Sequence, residues 1–364
     1  MSTTVAHPFN PAKLLWHRDK LALVLAGAWP TAPISVEWDL SNTCGHGCAF
    51  CSFGTTETHG YRQQFNVHFP ELRAVLLTSE LAEAGVQSVT FTGGGEPLNH
   101  PHAANIFDAT HKAGLPWGLV TNGQLLKGAV AELVAAHATF LRVSWDAGTA
   151  ETHQRIHRTK GPQLDDIEEQ MRLVIGAARL SRRATPLVVG ASFCVTDDNL
   201  HELATAARRL DAIGAAYLEV RPTYPTTWRG DGWDQALTWR DAARAALDAA
   251  KAAVADRPFQ VIGMVDRFAA LDGYEKGYTQ CQIGPLTTVI GAEGSLWHCC
   301  VQRGRDGFAL ANVLKQTFAA AWAAAGARKL RESIDVGKCP RCRYDSYNQL
   351  LAGLPHDDLH TAFI

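Results

Sequence analysis

Residues 34–51 read Ile34-Ser-Val-Glu-Trp-Asp-Leu40 and then Ser41-Asn-Thr-Cys44-Gly-His-Gly-Cys48-Ala-Phe-Cys51. The first seven are a short β-prone run, and three cysteines crowd the loop that follows it. Three thiolates on one loop hold three irons of a cubane iron–sulfur cluster and leave the fourth iron without a protein ligand. Such an open iron can take substrate or cofactor, as the open position on a catalytic zinc does. Gly45 and Gly47 allow the loop to turn tightly. A structural zinc knuckle, with His46 as its completing ligand, is the competing reading.

Beyond this stretch, β-prone runs alternate with helix-period stretches. The expected strands are 34–40, 88–93, 117–122, 140–145, 187–195 and 217–222. Helical patterns cover 69–85, 102–114, 124–137, a segment near 164–180, and 200–214. Six strands alternating with five amphipathic helices read as βαβ units around a parallel sheet, with functional groups at the C-terminal ends of the strands. The fold expected is α/β: a partial (β/α)6 TIM-like barrel with a small C-terminal iron–sulfur domain. The chain divides into a leader helix region (1–33), the barrel (34–222), a linker and helix (223–260) and a cysteine-bearing tail (261–364).

Composition narrows the class. The chain has 364 residues, with hydrophobic residues at 46%, charged residues at 19% and a formal net charge of −2. That is ordinary for a globular protein and offers no basic sleeve for nucleic acid, so nucleic acid is possible but not indicated. No apolar run of about 18 residues is present for a membrane span, and the N-terminus lacks a secretory pattern. Nine cysteines in such a chain point to metal ligation in a reducing, cytoplasmic setting rather than to disulfides.

The Cys44/Cys48/Cys51 loop, with Phe50 before its last cysteine, resembles the CxxxCxxC signature of the radical S-adenosylmethionine (SAM) enzymes. The resemblance implies a SAM-binding 4Fe-4S cluster on these three cysteines and Phe50 against the adenine. Gly93-Gly94-Gly95-Glu96-Pro97, after the second strand, is similar to the family's GGEP segment, where Glu96 would receive the SAM ammonium group. Asn122 falls in a TNG-like turn, and Ser144 and Asp146 in a VSxD-like segment. Residues 151–158 resemble ETHxxIRG, but His157 stands where the usual arginine would be. Arg155, Arg158 and Arg221 are the candidates for the SAM carboxylate.

In the tail, Cys281 and Cys299 precede Cys339-Pro-Arg-Cys342. Four thiolates there can close a complete cubane or a structural zinc site. Beside a radical SAM motif, the spacing resembles the SPASM/twitch extension, and in particular 2-deoxy-scyllo-inosamine dehydrogenases, which implies a second, auxiliary 4Fe-4S cluster. Cys300 is left over, and Cys194 reads as a small core residue.

A fully ligated auxiliary cluster has no open iron and suits the role of electron carrier. The expectation is therefore a radical SAM oxidoreductase that takes hydrogen from a sugar, aminocyclitol or nucleotide and is fed by a one-electron reductant such as flavodoxin or ferredoxin. A redox-neutral isomerase, epimerase or mutase is the second expectation and peptide maturation the third, set back by a leader of only about 33 residues. Catalytic candidates are Arg221 and Tyr224, with His59 and Glu219 as further possible bases. Trp228, Trp233, Trp239 and Tyr278 are candidates for shaping a pocket.

Overall fold

The structure is a computed structural model that describes residues 10–48, 50–51, 53, 66–181, 183–222, 240–263, 276–339 and 342–354. His59, Tyr224, Trp228, Trp233 and Trp239 lie outside the described residues.

The expected alternation is present. Six parallel strands run β1 (Ser35–Asp39), β2 (Ser88–Thr92), β3 (Trp117–Thr121), β4 (Phe140–Ser144), β5 (Val188–Val195) and β6 (Tyr217–Pro222). A leader helix, α1 (Arg18–Leu25), comes before them. The crossovers carry α2 (Glu71–Ala84), α3 (Ala103–Lys112), α4 (Ala129–His137), α5 (Ala150–His157), α6 (Leu164–Leu180) and α7 (Leu203–Ala212). Each crossover helix covers the sheet with one stripe. In α6, Leu164, Ile167, Met171, Val174 and Ile175 are buried at the three- and four-residue steps of a helix face. The stretch read only as a cofactor motif, residues 151–158, folds mostly as α5.

The sheet continues past both expected edges. After α8 (Arg240–Ala252), β7 (Gln260–Gly263) adds parallel to β6. On the other edge, β8 (Thr287–Ile290) pairs parallel with β1 and is followed by antiparallel β9 (Ser295–Trp297) and β10 (Ala309–Asn312). The order across the ten strands is β10-β9-β8-β1-β2-β3-β4-β5-β6-β7. The tail is therefore hydrogen-bonded to the first strand of the barrel. Its Ala-rich stretch is broken at Ala324, whose extended ψ of 133° separates α9 (Phe318–Ala323) from α10 (Ala325–Glu332). The last helix, α11 (Asp345–Ala352), contributes Leu351 to a small core with Leu14, Leu21 and Ile283, joining leader to tail.

The parallel strands do not read as continuous apolar runs, as strands covered on both faces would. Apart from β3, whose Trp117-Gly118-Leu119-Val120 is apolar throughout, one face of each is apolar: Val36 and Trp38 on β1, Phe91 on β2, Leu141 and Val143 on β4, Ala191 and Phe193 on β5, Leu218 and Val220 on β6, all buried under the helices. The alternate face carries Glu37 and Asp39, Arg142 and Ser144, Ser192 and Cys194, Glu219 and Arg221. Strands three apart in a flat sheet are about 14 Å distant. Yet Arg142 on β4 helps to stabilise the charge of Glu37 on β1, and Glu219 on β6 that of Arg343 in the tail. The sheet thus curls, and its polar face lines a lumen. Near the N-terminal ends of the strands, Gly118 and Gly190 leave room for the rings of Phe140 and Tyr217. A Cβ at either glycine would lie within 2.3 Å of the neighbouring ring.

Candidate functional site

The C-terminal strand ends are laced together by backbone. Gly95 N donates to Ser41 O at 3.1 Å and Glu96 N to Thr43 O at 2.7 Å, so the glycine turn after β2 lies along the entry to the cysteine loop. A Cβ on Gly95 would sit 2.3 Å from Thr43 O, which is why glycine stands there, and Gly94 is buried in the same turn. The buried Glu96 carboxylate accepts from Leu98 N (3.0 Å), Thr121 Oγ1 (2.6 Å) and Asn122 N (2.7 Å), tying the second strand end to the third. Burial pushes its pKa above the ordinary value against these bonds.

Cys44, Cys48 and Cys51 lie on the loop so framed. Cys44 Sγ accepts from His46 N at 3.4 Å and is approached by Asn122 Nδ2 at 3.8 Å, and Cys51 N donates to Cys48 O at 3.1 Å. Burial pushes the Cys48 thiol far up, and the neighbouring Cys51, Asp146 and Cys44 push it further. A buried Cys48 thiol that resists ionisation, with Cys44 and Cys51 beside it, fits a cationic iron centre, which supplies the missing positive charge. His46, Cys48 and His157 also offer ligand atoms within 4.8 Å of one another. That set uses only one of the three cysteines, and His46 Nε2 is engaged by Gln163 Oε1 at 2.9 Å.

The other expected SAM contacts divide. Phe50 lies edge-on to His157 at 5.9 Å between ring centroids. Ser144 is half-buried at the end of β4, and Asp146 is buried just beyond it with a left-handed φ of 53°. Arg158 caps α5 in the left-handed region, with its side chain exposed beside Gly47. Arg155 turns away to Asp198, donating to its carbonyl at 3.1 Å. Arg221, at the mouth of β6, approaches Cys194 Sγ at 3.6 Å, and its buried Nε has no hydrogen-bond partner among the described residues. Cys194 is thus a lumen thiol rather than a core residue, and burial pushes its pKa up to about 12.

The tail cysteines converge as well. Burial pushes up the thiols of Cys281, Cys299 and Cys342. Cys339 adds to the effect at Cys281, and Cys281 adds to it at both Cys299 and Cys342. Gln302 Nε2 approaches Cys339 Sγ at 3.6 Å, and Tyr344 N donates to Cys342 Sγ at 3.3 Å. This donor set fits a second cluster. Cys300 lies with them, adding more than Cys281 does to the effect at both Cys299 and Cys342, and Arg343, Glu37 and Arg303 are its own charged neighbours.

Sequence reasoning missed the polar wall between the two cysteine groups. Arg303 Nη1 holds both oxygens of Asp39 at 2.6 Å, and its guanidinium lies 4.6 Å from the ring centre of Phe53. Glu37 accepts from Arg343 and, at 3.0 Å, from the Tyr344 hydroxyl. Burial opposes the charge of Glu37, but Arg343 and Arg303 hold its pKa below the ordinary value. Arg142 Nη1 meets Glu219 Oε2 at 2.9 Å across β5. The alternation of Glu37 and Asp39 in the first strand was the available signal. Tyr278, a pocket candidate, instead donates to Asp345 Oδ1 at 2.6 Å beside the tail.

The radical SAM superfamily model matches residues 38–210, and the model of the SPASM iron–sulfur cluster-binding domain matches residues 281–343. An AdoMet-dependent heme synthase of Methanosarcina barkeri is 27% identical over 338 residues, 87% of this chain and 90% of that protein. A PqqA peptide cyclase of Ruegeria pomeroyi is 28% identical over 190 residues, 52% of this chain and 47% of its own length. Streptococcus suis SuiB, solved with S-adenosylmethionine, superposes with a TM-score of 0.63 at 14% identity, over 86% of this chain and 70% of that one. Among the described residues, no helix is long and apolar enough to cross a membrane.

Proposed function

The chain belongs to the radical SAM superfamily and carries a SPASM iron–sulfur domain, and from that premise we propose that it oxidises a small polar substrate bearing an anionic group. The observation that carries this reading is the bond from Arg343 to Glu37. Arg343 follows Cys342 directly, so the tail's cysteine quartet and the polar lumen share a wall. A substrate in the lumen would be close to an electron acceptor held by that quartet. Cys44, Cys48 and Cys51 would hold the SAM cluster, and Cys281, Cys299, Cys339 and Cys342 the auxiliary one. Loaded, these groups and S-adenosylmethionine supply a hydrogen-abstracting radical and a sink for one electron.

The chain's own residues orient, shield and take up the proton. Arg303 and Arg343 are matched by Asp39 and Glu37, and Arg142 by Glu219. Among the described residues Arg221 hydrogen-bonds the Cys194 thiol, with Glu219 and Asp146 also stabilising its charge, and a substrate carboxylate or phosphate would complete it. Asp39 is the carboxylate suited to receive the proton of a substrate hydroxyl, since burial raises its pKa to about 6 against the pull of Arg303. Glu219, the candidate base read from sequence, is paired with Arg142 as Asp39 is with Arg303. The tail's contacts with β1 close that side of the lumen and keep water from a reactive intermediate.

The match to the heme synthase over 87% of this chain favours a second reading, in which the anionic group is a carboxylate of a tetrapyrrole. One experiment separates the possibilities. The iron–sulfur-loaded protein is incubated anaerobically with SAM, dithionite and, separately, a nucleoside triphosphate, a phosphorylated aminosugar, a carboxylated porphyrin and a peptide. Faster 5′-deoxyadenosine release with one of the small anions, and a product oxidised by two electrons, is expected. A product of unchanged mass, or acceleration by the peptide alone, would overturn the proposal.

A further inference from the structure

His157 occupies the place where the family's motif carries arginine, and it is turned inward. It is 1% exposed, with Nδ1 3.1 Å from Cys48 Sγ and Nε2 3.3 Å from Asp146 Oδ2. The backbone repeats the link, since Gly47 N donates to His157 O at 2.9 Å. The middle of the cysteine loop is therefore fastened to the last residue of α5 through both main chain and side chain.

Everything around the ring fixes it. Glu202 grips the start of α5, accepting from Gly148 N (2.6 Å), Thr149 N (2.9 Å), Thr149 Oγ1 (2.8 Å) and Thr152 Oγ1 (2.7 Å). Asp146 is anchored by Cys194 N, which donates to Oδ1 at 2.6 Å, and by Asn199 Nδ2, which donates to its carbonyl at 2.8 Å. The rings of His153, His46 and Phe50 surround the imidazole at 4.2, 5.2 and 5.9 Å. An imidazole held this way at hydrogen-bond distance from a sulfur is a built contact. Hydrogen bonds donated to cluster sulfurs withdraw electron density and favour the reduced cluster, raising its potential.

We infer that His157 is a positioning residue for the SAM-site cluster: it donates from Nδ1 to Cys48 Sγ and so sets how readily that cluster is reduced. The inference rests on Cys48 being a cluster ligand, as proposed above.

The test uses reconstituted full-length protein, wild type, His157→Phe and His157→Gln, with iron and sulfide measured first. Potentiometric titration follows the SAM-responsive EPR signal, and pulsed EPR on protein labelled with [15N]histidine looks for nitrogen coupled to the reduced cluster. In His157→Phe the nitrogen coupling is expected to weaken and the potential to fall at unchanged iron content. In His157→Gln, which keeps an N–H donor, the potential is expected between those of the other two proteins. An unchanged potential in His157→Phe overturns the inference, and so does iron loss in both variants, which assigns the residue to folding alone. A wild-type loop that takes up no iron overturns the cluster reading itself, and this inference with it.

Discussion

Arg303 holds both carboxylate oxygens of Asp39 at 2.6 Å, joining residues 264 positions apart at the wall between the cysteine loop and the tail. Both partners are buried, so neither has water to fall back on. Removing one side of a buried pair strands the other charge, which costs about 3–5 kcal/mol. Arg303→Met should lower stability by that amount in anaerobic urea titrations, and adding Asp39→Asn should recover much of it. Equal stability of Arg303→Met and wild type would show the pair to be solvated.

Arg221 makes a different prediction, because the role proposed for it is toward substrate rather than fold. One charge-assisted hydrogen bond is worth roughly 1.5–3 kcal/mol, or about 10- to 150-fold. Arg221→Met should reduce substrate-accelerated 5′-deoxyadenosine release by that factor while the slow release without substrate persists. If SAM affinity falls instead and substrate dependence stays, Arg221 serves the SAM carboxylate.

His153 gives a pH signature. It is fully buried and, among the described residues, neither ring nitrogen is hydrogen-bonded, and burial, followed by the neighbouring His157 and His46, lowers its pKa to about 2. Between that value and the ordinary 6.5, the unfolded chain binds a proton that the folded chain refuses. Stability due to this group therefore rises with pH through that window, by about 1.4 kcal/mol per unit, and is flat above it. In urea titrations between pH 5 and 6, His153→Leu should be less acid-sensitive than wild type by up to that slope. Identical slopes would contradict the assignment.

Gly95→Ala tests the backbone framing of the loop. The added Cβ would meet Thr43 O at 2.3 Å, a backbone atom that cannot swing aside. The expected result is a cysteine loop that binds about half the iron of wild type, because only the tail would load, with secondary structure by circular dichroism retained. Full iron content would mean that the turn tolerates the shift.

The parts legible in the sequence were those with local signals. The strand–helix alternation, the three-cysteine loop and the glycine turn after the second strand each occupy a few consecutive residues. β7 and β8 were missed because four residues carry too little periodicity to register. The lumen charges left half a trace: Glu37 and Asp39 share one face of a strand that otherwise looked simply buried. Arg303 and Arg343 left none, since their partners lie 264 and 306 positions away and only the closing of the tail on β1 brings them together. For His157 the departure from the family's arginine was visible in the motif. Its inward turn against Cys48 was not, because that depends on how Glu202 and Asp146 set α5.

The central claim is two separate iron–sulfur centres on one chain, one open to S-adenosylmethionine and one closed. Its most direct measurement is iron and acid-labile sulfide per chain in wild type and in the Cys44→Ala/Cys48→Ala/Cys51→Ala protein, with EPR before and after adding SAM. The account predicts about 8 irons falling to about 4, with the SAM-responsive signal lost and a SAM-insensitive cluster left in the tail. Zinc without sulfide, or a SAM response that survives the triple substitution, would contradict it.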